Sequence, residues 1–222
     1  MRTNIASRSV LPLFALLTTP AHAGLAWTDA THQLGAAVAD KSMSDSYSGL
    51  GYFSRSAFIS ERNDQGTTTA KVEHESLTRD GLIKSTSTFS LHSVVGSPTS
   101  PNSGSSINNS FMFSLTSRTT FELLYTINDH SLASDRFNLN ITDAAGTSLY
   151  QLSENRQAQG TVFLTFNAGD YILNEHSGIT AITPDNPGRW SYTTSFTLRV
   201  VPAPATLAML SPIGLLATRR RR

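Results

Sequence analysis

Histidine and carboxylate are the side chains that most readily do chemistry, and in this chain they are scattered. His32, His74, His92, His130 and His176 stand singly, with no His-Glu-x-x-His and no i, i+4 pair to turn two imidazoles toward one metal. His74 lies between Glu73 and Glu75. On a strand those two carboxylates point to the face opposite the imidazole. The histidines are therefore expected on solvated surfaces or loops, with Asp129-His130 and Glu175-His176 at polar turn ends. Glu61, Glu73, Glu75, Glu122, Glu154 and Glu175 include no pair that spacing alone assigns to glycoside hydrolysis. No Gly-x-Ser-x-Gly nucleophile elbow occurs, and Gly49 to Gly51 lacks the features of a phosphate loop. Asp143 to Gly146 and Asp185 to Gly188 carry oxygen ligands of the kind calcium takes, but their composition reads first as turns. Asn108-Asn109-Ser110 and Asn140-Ile141-Thr142 have the form of glycosylation sequons. The expectation is no catalytic residue, no metal, no cofactor and no enzyme. Aromatic side chains offer the other relevant chemistry: Trp190, Tyr192 and Trp27 could stack on sugar rings if a flat face were exposed, and otherwise belong to the core.

The elements that would position these residues read as strands. Phe111, Phe113 and Leu115, then Phe121, Leu123, Tyr125 and Ile127, then Phe137, Leu139 and Ile141 alternate with polar residues. So do Val162, Leu164 and Phe166, then Tyr171 and Leu173, then Trp190 and Tyr192 with Phe196, Leu198 and Val200. A period of two with turn residues between runs marks half-buried strands. Asn63 to Gly66 and Arg79-Asp80-Gly81 are further turns, bounding an edge-like strand from Thr67 to Leu77. Trp27 to Lys41 fits either a short helix or a strand. Residues 96–110, almost all Gly, Pro, Ser and Asn, are expected as a long loop or seam. Seven to nine antiparallel strands in one jelly-roll-like β-sandwich over 24–200 is the expected fold, all-β, with a two-subdomain split at the loop as the alternative.

The positive excess sits at the chain ends. The chain has 17 Lys and Arg against 16 Asp and Glu, a formal net of +1. Six of the 17 are Arg2, Arg8 and Arg219 to Arg222, which leaves 11 against all 16 acids and a net of −5 between them. Nucleic acid is thereby excluded as an expected partner. There is no cysteine, so the fold must hold by packing. Arg2 and Arg8, the apolar run Val10 to Leu17 and Ala21-His22-Ala23 before Gly24 form a signal peptide over 1–23, with an export translocon and a signal peptidase as partners. At the other end, 201–222 carry Pro202-Ala203-Pro204, the apolar run Leu207 to Ala217 and four terminal arginines. As a helix that run spans about 16 Å, roughly half of a ~30 Å hydrocarbon core. It suits transient insertion with the arginines held on the cytoplasmic side.

These three parts in this order resemble the PEP-CTERM sorting signal of exported bacterial proteins. Pro202, Ala203 and Pro204 stand for the Pro-Glu-Pro motif, with Ala203 where the family has Glu. Gly214 lies in the apolar segment, and Arg219, Arg220, Arg221 and Arg222 form the basic plug. The likeness covers about a tenth of the chain. It implies handling of the C-terminal sorting helix by an exosortase-type membrane enzyme and delivery from the inner membrane to the envelope, surface or extracellular matrix, and the signal peptide supplies a matching N-terminal signal helix. The expected function is non-enzymatic: a surface or biofilm-matrix protein. The alternative is a carbohydrate-binding module acting on exopolysaccharide, and a secreted hydrolase comes third.

Overall fold

The computed structural model describes residues 24–64, 66–94, 103–129, 136–154, 157–180 and 188–202. The signal peptide, the proposed flanking helices and the sorting residues from Ala203 onward lie outside them, as do His130, Asp185 and residues 96–102. The described chain forms twelve strands: β1 (Leu25–Val38), β2 (Lys41–Ser48), β3 (Tyr52–Arg62), β4 (Thr67–Arg79), β5 (Leu82–Ser93), β6 (Gly104–Leu115), β7 (Thr119–Asp129), β8 (Arg136–Asp143), β9 (Ser148–Glu154), β10 (Ala158–Phe166), β11 (Gly169–Thr180) and β12 (Gly188–Val200). They make two antiparallel six-stranded sheets, ordered β2-β1-β6-β11-β8-β9 and β10-β7-β12-β5-β4-β3. Within these, β6-β11-β8-β9 facing β5-β12-β7-β10 is the strand order of a jelly roll. The strands β1, β2, β3 and β4 widen it on one side.

The alternating sequences behave as their pattern requires. Phe111, Phe113, Phe121, Leu123, Phe137, Leu139, Ile141, Leu173, Phe196 and Leu198 all face inward and are buried. At one end of the sandwich Phe113, Phe121, Phe166 and Tyr171 form a closed ring of aromatic contacts, with centroid separations from 5.1 to 5.9 Å. Such pairs add about 0.5–1.5 kcal/mol each beyond the burial of their area. The turns expected at Asp143 to Gly146 and at Arg79 to Gly81 are present. Asp143 Oδ1 accepts the Ala145 and Thr147 amides at 3.0 and 2.8 Å. Gly81 closes the β4–β5 hairpin at φ 71°, a conformation glycine adopts without steric cost.

Four expectations are corrected. There are twelve strands, not seven to nine, because Trp27 to Val38 is strand within β1, Lys41 opens β2 after a turn at Ala39-Asp40, and the Ser-rich segments also pair. The Thr67 to Leu77 run is not an edge: β4 lies between β3 and β5. Glu175-His176 is not a turn end but the middle of β11. The supposed loop over 96–110 becomes strand from Gly104 onward, and β6 is paired on both sides, with β1 and with β11. Its small residues are what allow that. A Cβ on Gly104 would stand 2.2 Å from the Ile179 carbonyl oxygen, and one on Gly178 would stand 2.9 Å from that of Ser105.

Candidate functional site

Two kinds of polar layer share the same strands. On β1, β6 and β11 the residues alternate between a buried network and an outward display, because successive strand side chains point to opposite faces.

The inward layer crosses the middle of the core. Register sets His32 beside Asn109 and Asn109 beside Glu175 in one sheet. In the other sheet it sets His74 beside Ser87 and Ser87 beside Thr194. His32 is 2% exposed, His74 1%, Glu175 1% and Asn109 3%. Asn109 is the hub. Its Nδ2 donates to Glu175 Oε2 at 2.7 Å and lies 3.4 Å from His74 Nε2. Its Oδ1 is 2.9 Å from His32 Nδ1. With the amide so oriented, His32 carries its proton on Nδ1, while His74 accepts at Nε2 and directs Nδ1–H toward Ser87 Oγ at 3.0 Å. Ser85 Oγ donates to Glu175 Oε2 at 2.7 Å, linking the two sheets. Glu175 Oε1 and Ser177 Oγ make no well-formed hydrogen bond among the described residues. Ser177 nevertheless lies near enough to favour the ionised carboxylate.

Burial dominates the electrostatics. Desolvation lowers the His74 pKa to about 3, helped by the neighbouring His32 and partly offset by a backbone contact with Thr86. Desolvation lowers His32 as well, against the bond to Asn109. For Glu175 desolvation outweighs the bonds from Ser85 and Asn109 and raises the carboxyl above its usual range. Both imidazoles are therefore neutral at pH 7. The Ser87–His74 pair has the spacing of a nucleophile and its base, but Ser87 is fully buried, so no substrate can reach it. The network shapes and stiffens. It does not react.

The outward layer is open to solvent. One row runs Ser46, Gln33, Asn108, His176, Asn138, Ser153 across all six strands, by successive register pairs. The next runs Ser48, Thr31, Ser110, Asn174, Asn140, Gln151. At about 4.8 Å per strand each row is about 24 Å long. Every one of these twelve side chains is an amide, a hydroxyl or an imidazole, and none is a carboxylate, ammonium or guanidinium. Over β2, β1, β6 and β11 they line a depression of about 640 Å³, with Tyr47 at its margin. His176 Nδ1 and Asn108 Oδ1 meet at 2.5 Å, which holds the Asn108 amide in place within the row. The outer face of the other sheet differs: Lys71, Glu73, Glu75, Lys84, Glu122 and Arg199 stand on it, with ion pairs Lys71–Glu73 and Arg199–Glu122.

The aromatic residues singled out in the sequence do not form a stacking platform together. Tyr192 is 0% exposed and packs on Phe89, so it offers no free face. Trp190 is half-buried against the core. Trp27 is half-buried too, edge-on to Phe113, and donates its indole N–H to the Arg79 carbonyl at 2.8 Å. Gly24 and Pro202 bound the described domain, and Ala21, Ala23, Ala203, Pro204, Gly214 and the terminal arginines lie outside it. His32 and His74 are core residues, not solvated ones, because each finds a cross-strand or cross-sheet polar partner that spacing along the chain does not reveal. Asn108, Asn138, Asn140 and Asn174 were not singled out for ligand contact. Their signal is an uncharged polar residue at successive outward positions of neighbouring strands, and it emerges only once the register between those strands is known. Among the described residues no group of three or more His, Asp or Glu side chains is arranged to hold a metal.

No protein-family model and no curated protein matches the chain. Among solved structures it is similar to the module TmCBM61 in complex with β-1,4-galactotriose, at 9% identity and TM-score 0.33, covering 59% of this chain and 88% of that one. It is also similar to the CBM22-1 xylan-binding domain of Paenibacillus barcinonensis Xyn10C, at 14% identity and TM-score 0.23, covering 69% and 87%. The infectious bursal disease virus VP2 subviral particle matches at 8% identity and TM-score 0.30, covering 83% and 60%. At these scores none of the likenesses bears on what this chain does.

Proposed function

We propose that this chain is an exported, non-enzymatic carbohydrate-binding β-sandwich that holds a neutral polysaccharide on the outer face of the β2-β1-β6-β11-β8-β9 sheet. The observation that supports it is the pair of uncharged rows crossing that sheet, set against the charged face opposite. An amide side chain presents a donor and an acceptor side by side, which complements neighbouring hydroxyls on a sugar ring. A net gain of about 1 kcal/mol per bond means that four or five bonds give millimolar to high-micromolar affinity for a short segment. A long polymer would raise retention by occupying the row repeatedly. Export and surface delivery rest on the two chain ends, whose signal-peptide and PEP-CTERM-like features imply cleavage after Ala23 and handling by an exosortase-type enzyme.

The test is affinity electrophoresis of the full chain through gels containing soluble β-glucan, xylan or galactan, with polyanionic alginate as the contrast. Retardation by at least one neutral polymer, lost in the Asn108→Ala/Asn174→Ala variant with unchanged thermal stability, is expected. No retardation by any neutral polymer, or an undiminished effect in the variant, would end this reading.

A further inference from the structure

We infer that the buried layer makes the outer face acid-labile: proton uptake by the His32–His74 pair breaks the Asn109 hub, loosens β1, β6 and β11, and releases the polysaccharide bound above them. This concerns regulation of the face proposed above and rests on that reading for its ligand, though not for the latch itself.

The geometry leaves the protons nowhere to go. Asn109 Nδ2 is already directed at His74 Nε2, so a proton there sets donor against donor at 3.4 Å. His32 uses Nδ1 for the bond to Asn109, so its second proton must enter at Nε2 while the ring is stacked on Phe53 at 4.4 Å and 8°. The two rings are 5.4 Å apart, and charge on one opposes charge on the other. The surroundings offer little compensation. β11 contributes Glu175, bonded to Asn109 and Ser85 and not to either imidazole. β3 contributes Arg55, paired in register with His74, and β2 contributes Asp45 and Tyr47 at the margin. Among the described residues β5, β6 and β12 add Ser85, Ser87, Asn109 and Thr194, with the buried Tyr192 phenol on the same face of β12 as Thr194. The nearby carboxylates Glu73 and Glu75 are on the opposite face of β4 from His74.

The coupling to the outer face is direct, since Asn108 and Ser110 flank Asn109, Asn174 and His176 flank Glu175, and Thr31 and Gln33 flank His32. Turning any inward residue displaces two outward neighbours. The sign follows from linkage. A histidine whose folded pKa lies below 6.5 stabilises the closed form above that value and loses this as pH falls toward the folded pKa. With His74 at about 3, one imidazole favours the open form about 30-fold more at pH 5.0 than at pH 7.5. Glu175, raised by burial, works in the opposite sense and trims this ratio.

The test uses the full chain and two readouts. Hydrogen exchange, corrected for its intrinsic pH dependence, should show protection of amides in Gly104 to Ser110 and Asn174 to Ser177 falling at least tenfold from pH 7.5 to pH 5.0. Residues Phe111 to Leu115 should be spared. Retardation by soluble galactan and β-glucan should fall over the same interval, and His74→Gln, which keeps His32, should reduce both changes. Unchanged protection, or a wild-type pH response in H74Q, overturns the latch. Should H74Q fail to fold, the wild-type imidazole NMR signals decide: His74 titrating near 6.5 in an intact structure overturns it, and neutrality until the polar layer opens supports it. Absence of retardation at every pH defeats the carbohydrate reading alone, while exchange still judges the latch.

Discussion

Replacing Asn109 by alanine tests the central claim that the polar layer is sealed from water. The substitution removes the acceptor of the His32 Nδ1–H and one partner of His74 Nε2, both on residues no more than 2% exposed. Glu175 loses the Asn109 bond but keeps the one from Ser85. A buried polar group left without a partner costs about 1–3 kcal/mol, so two orphaned imidazole nitrogens cost about 2–6 kcal/mol before any loss at Glu175. Against a typical total of about 5–15 kcal/mol, that brings the domain near the limit of folding. Urea unfolding at pH 7.5, followed by the fluorescence of half-buried Trp27 and Trp190, should show a lower midpoint at unchanged slope. A sixfold variant, His32→Phe, His74→Phe, Ser85→Ala, Ser87→Ala, Asn109→Leu and Glu175→Leu, should recover most of the loss. Removing both partners of each side-chain bond in the layer together leaves no donor or acceptor newly unsatisfied. A cost below about 0.5 kcal/mol for N109A would mean that water reaches the layer, and the reasoning would fail.

Two further outcomes follow from the same packing. Glu175→Gln should raise the melting temperature at pH 8 and lose that advantage by pH 4. A carboxyl whose folded pKa is raised contributes stability below its ordinary value and forfeits it as pH climbs through the folded one. An equal shift at both pH values would contradict this. Gly104→Ala should destabilise by about 1–3 kcal/mol or more, measured by urea midpoint, because its Cβ would meet the backbone oxygen of Ile179 at 2.2 Å and force β6 and β11 apart. A neutral result would show that the two strands separate there at no cost.

The apolar half of this molecule was legible in its sequence, and the polar half was not. Where Phe, Leu and Ile alternate, as in Phe121 to Ile127 or Phe137 to Ile141, inward facing followed directly from the pattern. Where the core turns polar, the pattern disappears. The inward residues Ser105 and Asn109 look like their outward neighbours Ser106 and Asn108, so the front of β6 read as a loop. His32, His74 and Glu175 were misread for the same reason, since their partners lie 77, 13 and 90 residues away. The amide rows exist only across strands, by register, and a single strand with outward asparagines is indistinguishable from any solvated surface. Tyr192 was a different case: its alternation with Phe196 and Leu198 already pointed inward, and burial follows.

The composition of β6 also governs how the chain finds its frame. A one-residue shift exchanges the two faces of a strand. From Gly104 to Ser110 such a shift exposes a single large apolar side chain, Ile107, at about 1.5–3 kcal/mol. From Phe111 to Leu115 it exposes three, Phe111, Phe113 and Leu115. The C-terminal half therefore dictates the threading of the whole central strand, and the serine-rich half can only follow. Damage to Phe111 or Phe113 should accordingly produce misthreaded, aggregation-prone chains and not merely a less stable copy of the native form.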